Sequence, residues 1–272
     1  MGVRLLLATL MICSTAESAF EQTVRGARAT GLGGAAVAVE GDVWASYTNP
    51  ACLPNSSETC IGVEFSPALY GIGELKRGAI SITGGLPTGM CALSISGFGF
   101  ELYRELSVGV AWAHALTEHV VLGIGVNLYS LAIHQYGNDR TVGLDVGMLV
   151  QVTPAISYGV SFRNANRPSI GSDREPLPQT MGMGVGVRPF PDALVALSAE
   201  KDSHYPFELC IGMEYVLEHL VTVRLGAVNE PSSISAGIGV HLSTLRVDYA
   251  YKVHPDLGGT HCFSLSFPLP WP

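Results

Sequence analysis

The chain has 272 residues, 32 of them glycine, and only 14% are charged, against about 25% in an average soluble domain. With 47% apolar residues and a net charge of −8, it is neither a disordered coil nor a nucleic-acid binder, which would need a basic face. A mean hydropathy of +0.32 and a lysine complement limited to Lys76, Lys201 and Lys252 point toward a membrane.

Met1 to Arg4 gives a short basic start, Leu5 to Cys13 is apolar except for Thr9, and Ser14 to Ala19 is rich in small residues. This is the layout of a secretion signal, and the apolar run is too short for the roughly 20 residues of a membrane helix. Residues 1–19 are therefore expected to be a signal peptide. Export permits disulfides, and the mature chain keeps Cys52, Cys60, Cys91, Cys210 and Cys262. Cys52 and Cys60 close a short loop and could bridge; the alternative is that all five are small apolar fillers. No pair has Cys-x-x-Cys spacing, so neither a metal nor a cofactor is expected.

Residues 20–56 do not alternate. They run through Gly26, Arg28, Gly31, Gly33-Gly34-Ala35, Ala38 and Asp42 to Asn49-Pro50-Ala51. Gly31, Gly33 and Ala36 have dinucleotide-fingerprint spacing, but no apolar strand precedes them, and Glu40 and Asp42 come too early for the ribose contact. Asn49 can bond its own backbone in a turn, and Pro50 fixes that turn.

From residue 57 onward the chain reads as short strands with a period of two. Leu209, Ile211, Met213, Tyr215 and Leu217 interleave with Glu208, Cys210, Gly212 and Glu214, and Ile234 to Leu242 and Leu245 to Val253 repeat the pattern. Turn signals divide the region into about fourteen strands, near 59–66, 78–84, 90–100, 105–114, 120–133, 141–151, 156–166, 179–188, 193–201, 207–217, 220–228, 233–242, 245–254 and 261–269. Most approach the nine to eleven residues of a tilted membrane strand. Connections after even-numbered strands are short, and those at Ser66 to Arg77, His134 to Arg140 and Arg167 to Pro178 are longer, though none exceeds about a dozen residues. That asymmetry is expected of periplasmic turns and outer loops.

The fold expected is all-β: a transmembrane antiparallel barrel of about fourteen strands over 57–272. A soluble sandwich fits less well, because its solvent face would be glycine and serine. A wide barrel must turn its apolar face to lipid, since it cannot fill its own interior with side chains. Tyr158, Phe162, Tyr215, Tyr249, Tyr251, Phe263 and Phe267 then belong to interface girdles. The inward candidates are Asp145, Arg163, Arg188, Glu200, Glu208, Glu214, Arg224, Arg246, Asp248 and Lys252. Their mixed signs suggest a paired network, to which Arg28 and Asp42 could contribute. Eight histidines, among them His204 after Ser203 and His254 near Asp256, would suit a hydrolase, but spacing alone assigns them no catalysis.

The glycine-rich stretch closing on Asn49-Pro50-Ala51 resembles the N-terminal plug of the FadL long-chain fatty-acid transporter superfamily, and its fuller pattern is closer to the PorV-like branch. The resemblance implies a fourteen-stranded outer-membrane barrel, non-enzymatic, with residues 20–56 folded into the lumen as a hatch. It implies passage of small hydrophobic or amphipathic molecules or, on the PorV-like branch, the handling of exported proteins; a purely structural barrel is the remaining alternative. Outer-membrane lipid is the surrounding partner in either case. The chain departs from the family in its small outer loops and in a C-terminus that places Trp271 one residue short of the end.

Overall fold

A computed structural model describes residues 19–53 and 58–269. All but the last residue of the expected signal, and Trp271, lie outside the described residues. The long strands are β1 (Thr59–Ser66), β2 (Lys76–Leu86), β3 (Gly89–Phe100), β4 (Tyr103–Ala115), β5 (Val120–Ile133), β6 (Gly137–Thr153), β7 (Ile156–Arg163), β10 (Thr180–Phe190), β11 (Ala193–Asp202), β12 (Phe207–Leu217), β13 (Val221–Asn229), β14 (Ser232–His241), β15 (Arg246–His254) and β16 (Gly258–Leu269). A two-residue pair, β8 (Ser169–Ile170) with β9 (Glu175–Pro176), sits in the β7–β10 loop. The fourteen long strands close into one antiparallel barrel, each paired with its neighbour along the chain and β1 with β16.

The period of two decides which side chains meet which environment. On β12, Leu209, Ile211, Met213 and Tyr215 are 51, 45, 55 and 48% exposed on the outside, while Cys210 and Glu214 are buried inside. On β5, Leu122, Ile124, Val126 and Leu128 point outward, with Gly123 and Gly125 between them. A band of exposed leucine, isoleucine and valine around the barrel would be costly in water and is satisfied by lipid. Closure leaves no unpaired edge in the hydrocarbon. The protein is an outer-membrane, multi-pass β-barrel.

The strands follow the expected spans closely; several, such as β2, β4, β6 and β16, run further on the outer side, while β7 stops short of its expected end at 166. β5 and β6 reach Ile133 and Gly137, so the long connection expected at His134 to Arg140 is a tight turn at 134–136. The loop asymmetry is carried by 67–75 and 164–179 alone, and the second is longer than the dozen residues expected. β7 ends at Arg163, so the outer half of β6 pairs with β5 but has no strand partner on its other edge. The 164–179 loop answers that edge: Leu144 N donates to Asn166 Oδ1 at 2.8 Å, and Gly171 N to Asp139 Oδ2 at 2.7 Å. The seven girdle aromatics all lie on the outward register. Tyr249 and Phe263, however, pair in mid-strand with ring centroids 5.1 Å apart rather than marking a rim.

Fourteen strands enclose more space than their inward side chains can fill. Residues 19–53 occupy it. Phe20 lies by Glu105 near the β3–β4 tip, at the outer mouth, and Ala51 packs under Gly123 near the inner turns. Between them the segment forms one short helix, α1 (Gly26–Gly31), and 3-10 turns at Ala45–Tyr47 and Pro50–Cys52.

Candidate functional site

Glycines on the inner wall let the N-terminal segment approach. A Cβ at Gly147 would collide with Asn49 Oδ1, and one at Gly226 with the backbone of Gly33, whose φ of +68° itself favours glycine. Asn49 is fully buried and satisfied on both sides of its amide. Its Oδ1 accepts from Ala51 N at 3.0 Å, and its Nδ2 donates to Val37 O at 2.7 Å and to Met148 O of β6 at 3.3 Å. Pro50 follows at the first position of the 3-10 turn, where its missing N–H costs nothing.

Ion pairs then fasten the segment to the wall. Arg28 lies between α1 and β12, donating from Nε and Nη2 to the Glu214 carboxylate at 2.9 and 2.7 Å. Glu214 also accepts from Arg224 Nε at 2.6 Å, Arg224 reaches Asp248 at 2.7 Å, and Asp248 accepts from Arg246 at 2.7 Å. Glu214, Arg224, Arg246 and Asp248, inward candidates on β12, β13 and β15, thus form one chain of charges that ends on Arg28. Asp42 does not join it: its Oδ1 accepts from Trp44 N at 3.2 Å and turns the segment itself.

Nearer the outer mouth, Arg25 donates to both oxygens of Glu200 at 3.1 Å, and Glu208 lines the same cavity of about 110 Å³. A second cavity of about 70 Å³ is lined by Phe20, Tyr47, Phe98, Tyr129, Asp145 and Arg163, among others. Asp145 accepts from Asn127 Nδ2 and Asn164 N, each at 2.8 Å, and Arg163 bonds Thr23, Tyr47 O and Thr180. Each of these two spaces is smaller than the roughly 150 Å³ void that accepts benzene. Ala19, Leu131, Ile170 and Leu177 pack over the outer end, with Phe20 and Tyr129 against them. Lys252 is half-buried on the inward register of β15, and Arg188 is half-buried near the β10–β11 turn, apart from the charge chain.

The Cys52–Cys60 bridge is not formed. Both are free thiols: Cys52 packs with Leu53, Ala111 and Leu149 and lies 3.3 Å from Val37 O, while Cys60 packs near Val43 and Trp44 in a separate cluster. Burial of Cys52 inside the lumen turns it away from the strand. Ser203 Oγ accepts from Gln179 N rather than facing His204, and His254 Nδ1 faces the backbone of Asp256.

Glu64, Arg77 and Glu105 were absent from the sequence-derived set. Glu64 is buried on β1, accepting from Gly26 N at 2.7 Å and pairing with Arg77 at 2.9 Å. Arg77 stands one residue before the span expected for β2, and Glu105 on the first residue expected for β4. Extending β2 to its turn would have put Arg77 on the inward register, and alternation within the expected β4 already put Glu105 there.

No family model matches the sequence, and no curated protein matches it. Solved structures do match in fold. The toluene transporter TbuX of Ralstonia pickettii superposes with a TM-score of 0.70 at 13% identity, covering 92% of this chain and 100% of that one. The toluene transporter TodX of Pseudomonas putida gives 0.69 at 10%, covering 94% and 100%. A FadL homologue of Pseudomonas aeruginosa gives 0.62 at 11%, covering 90% and 98%. The fold is that of FadL-like barrels. This likeness lends nothing to the PorV-like branch.

Proposed function

We propose that this protein passes small hydrophobic or amphipathic molecules across the outer membrane, without catalysis, and that residues 20–56 act as its hatch. The observation that carries the reading is the occupied lumen: a polar-anchored segment lies inside a wide barrel, beside small cavities with aromatic and charged walls. The toluene transporters and the FadL homologue share this fold, and the toluene named for the first two suggests the class of molecule. Ion pairs that cross from hatch to wall are a means of holding it shut, because each can be exchanged for water when the hatch moves. The Gly26 to Ala51 motif supports a second reading, in which the barrel receives exported proteins.

Native mass spectrometry of protein extracted from outer membranes in mild detergent tests the choice. A bound apolar small molecule, together with faster toluene uptake by cells that express the protein, is the expected result. Stoichiometric exported protein with an empty lumen and unchanged uptake would replace the first reading by the second.

A further inference from the structure

Among the described residues, the buried glutamates of the lumen are answered by arginines, with one exception. Glu64, Glu200 and Glu214 face Arg77, Arg25 and Arg28 at 2.9, 3.1 and 2.7 Å. Glu105, inward on β4 and 7% exposed, accepts from two neutral donors: Phe20 N at 2.9 Å and the Tyr103 hydroxyl at 2.6 Å. Both bonds fall on Oε1, which leaves Oε2 as an acceptor on the wall of the outer cavity. An ionised carboxylate buried without a cation is costly, and a single positive charge here would complete the pattern set by the other three.

The chain supplies that charge if it has been cut. Ala19 is buried beside Leu131, Ile170 and Leu177 at the outer mouth, and its nitrogen lies one residue before the Phe20 nitrogen that Glu105 already holds. Phe20 has a φ of 67°, so the backbone turns at this point. Upstream the sequence reads Ala16-Glu17-Ser18, which places small residues at the first and third positions before the Ser18–Ala19 bond. Signal peptidases read those two positions. Hydrolysis of that bond by water leaves a carboxylate on Ser18 of the released signal and an amine on Ala19, which takes up a proton at neutral pH. Glu21, whose carboxylate accepts from the Tyr205 hydroxyl at 2.6 Å, adds a second negative charge close by.

We propose that the mature chain begins at Ala19 and that Glu105 receives its α-ammonium group, with Oε1 holding the Phe20 N–H and Oε2 the new charge. Export processing would then complete the lumen's charge pairing and tie the leading end of the segment to β4. This pairing does not depend on what the barrel passes.

The test begins with protein purified from outer membranes, by intact mass and N-terminal sequencing. A chain starting at Ala19 is expected, and any other start overturns the proposal. The same protein, wild type and Glu105→Gln, is then treated across a range of pH with a limiting amine-acylating reagent, and the modified peptides are mapped. Glutamine keeps the shape and burial of the site and removes its charge. The α-amine should react about tenfold faster in Glu105→Gln at neutral pH, the effect of one unit in its ionisation equilibrium, with its rate profile displaced to lower pH. Lys76, Lys201 and Lys252 should react alike in both. Glu105→Asp should restore the protection. Equal α-amine profiles in wild type and Glu105→Gln would overturn the pairing. If Glu105→Gln does not assemble, wild type compared with its own denatured chain gives the same readout: an undisplaced profile refutes the pairing and an upward displacement supports it.

Discussion

Arg28 is where the charge chain of the wall meets the N-terminal segment. Its guanidinium takes both oxygens of Glu214, and Nη1 also donates to Glu40 O at 3.1 Å, so one side chain fixes α1 against β12 and against the turn that follows. Arg28→Ala leaves Glu214 to Arg224 alone; removing one partner of a buried pair costs about 3–5 kcal/mol. Cells carrying it should take up bulky apolar antibiotics faster than wild type, and unchanged uptake would remove Arg28 from any closing role. Arg28→Lys keeps the charge but not the two-pronged geometry, so an intermediate effect is expected. The cysteines give a sharper check on the interior. The folded protein should migrate identically with and without reductant, and Cys52, fully buried, should react with a maleimide only after unfolding. Recovery of a Cys52–Cys60 disulfide peptide would contradict the placement of both thiols.

At the scale of elements, the strands were legible because lipid and lumen impose opposite chemistries on alternate residues. Leu209 to Leu217 could be read without any knowledge of its neighbours. The ends were less legible, since β6 starts at Gly137 and runs through Asn138, Asp139 and Arg140, whose polarity looks like a loop but suits a strand standing clear of the membrane. That error also hid Arg77, one residue outside its expected strand. The inner-wall glycines had a different meaning from the one their number suggested: several are landing places for another backbone. Gly147→Val tests this directly. The added side chain would occupy the position of Asn49 Oδ1 and press on Pro50, whereas the outward face of β6 would be untouched. The barrel should still assemble and resist unfolding in cold detergent, while residues near Asn49 become accessible to protease. A segment as protected as in wild type would mean that the wall yields instead.

For the whole molecule, width is the governing quantity. A fourteen-stranded wall cannot close its own lumen, so a filler was required, and the non-alternating stretch before β1 was the one segment long enough to serve. The sequence showed that Arg28 belonged to that filler, but its pairing with Glu214 is set by a contact across 186 residues that no local pattern encodes. The same reasoning predicts what the barrel becomes without its filler. Deleting residues 20–53 behind an intact signal removes Arg25 and Arg28, leaving Glu200 without its arginine and Glu214 with only Arg224. Water can then enter a lumen in which Glu64, Glu105, Asp145, Glu200, Asp202, Glu208, Glu214 and Asp248 outnumber Arg77, Arg163, Arg188, Arg224, Arg246 and Lys252. In planar bilayers the wild-type protein should be nearly silent, and the deletion should conduct with a preference for cations that weakens as salt screens the wall. An assembled deletion barrel as silent as wild type would show that the strands close the lumen by themselves, and the proposal that residues 20–56 act as a hatch would fail.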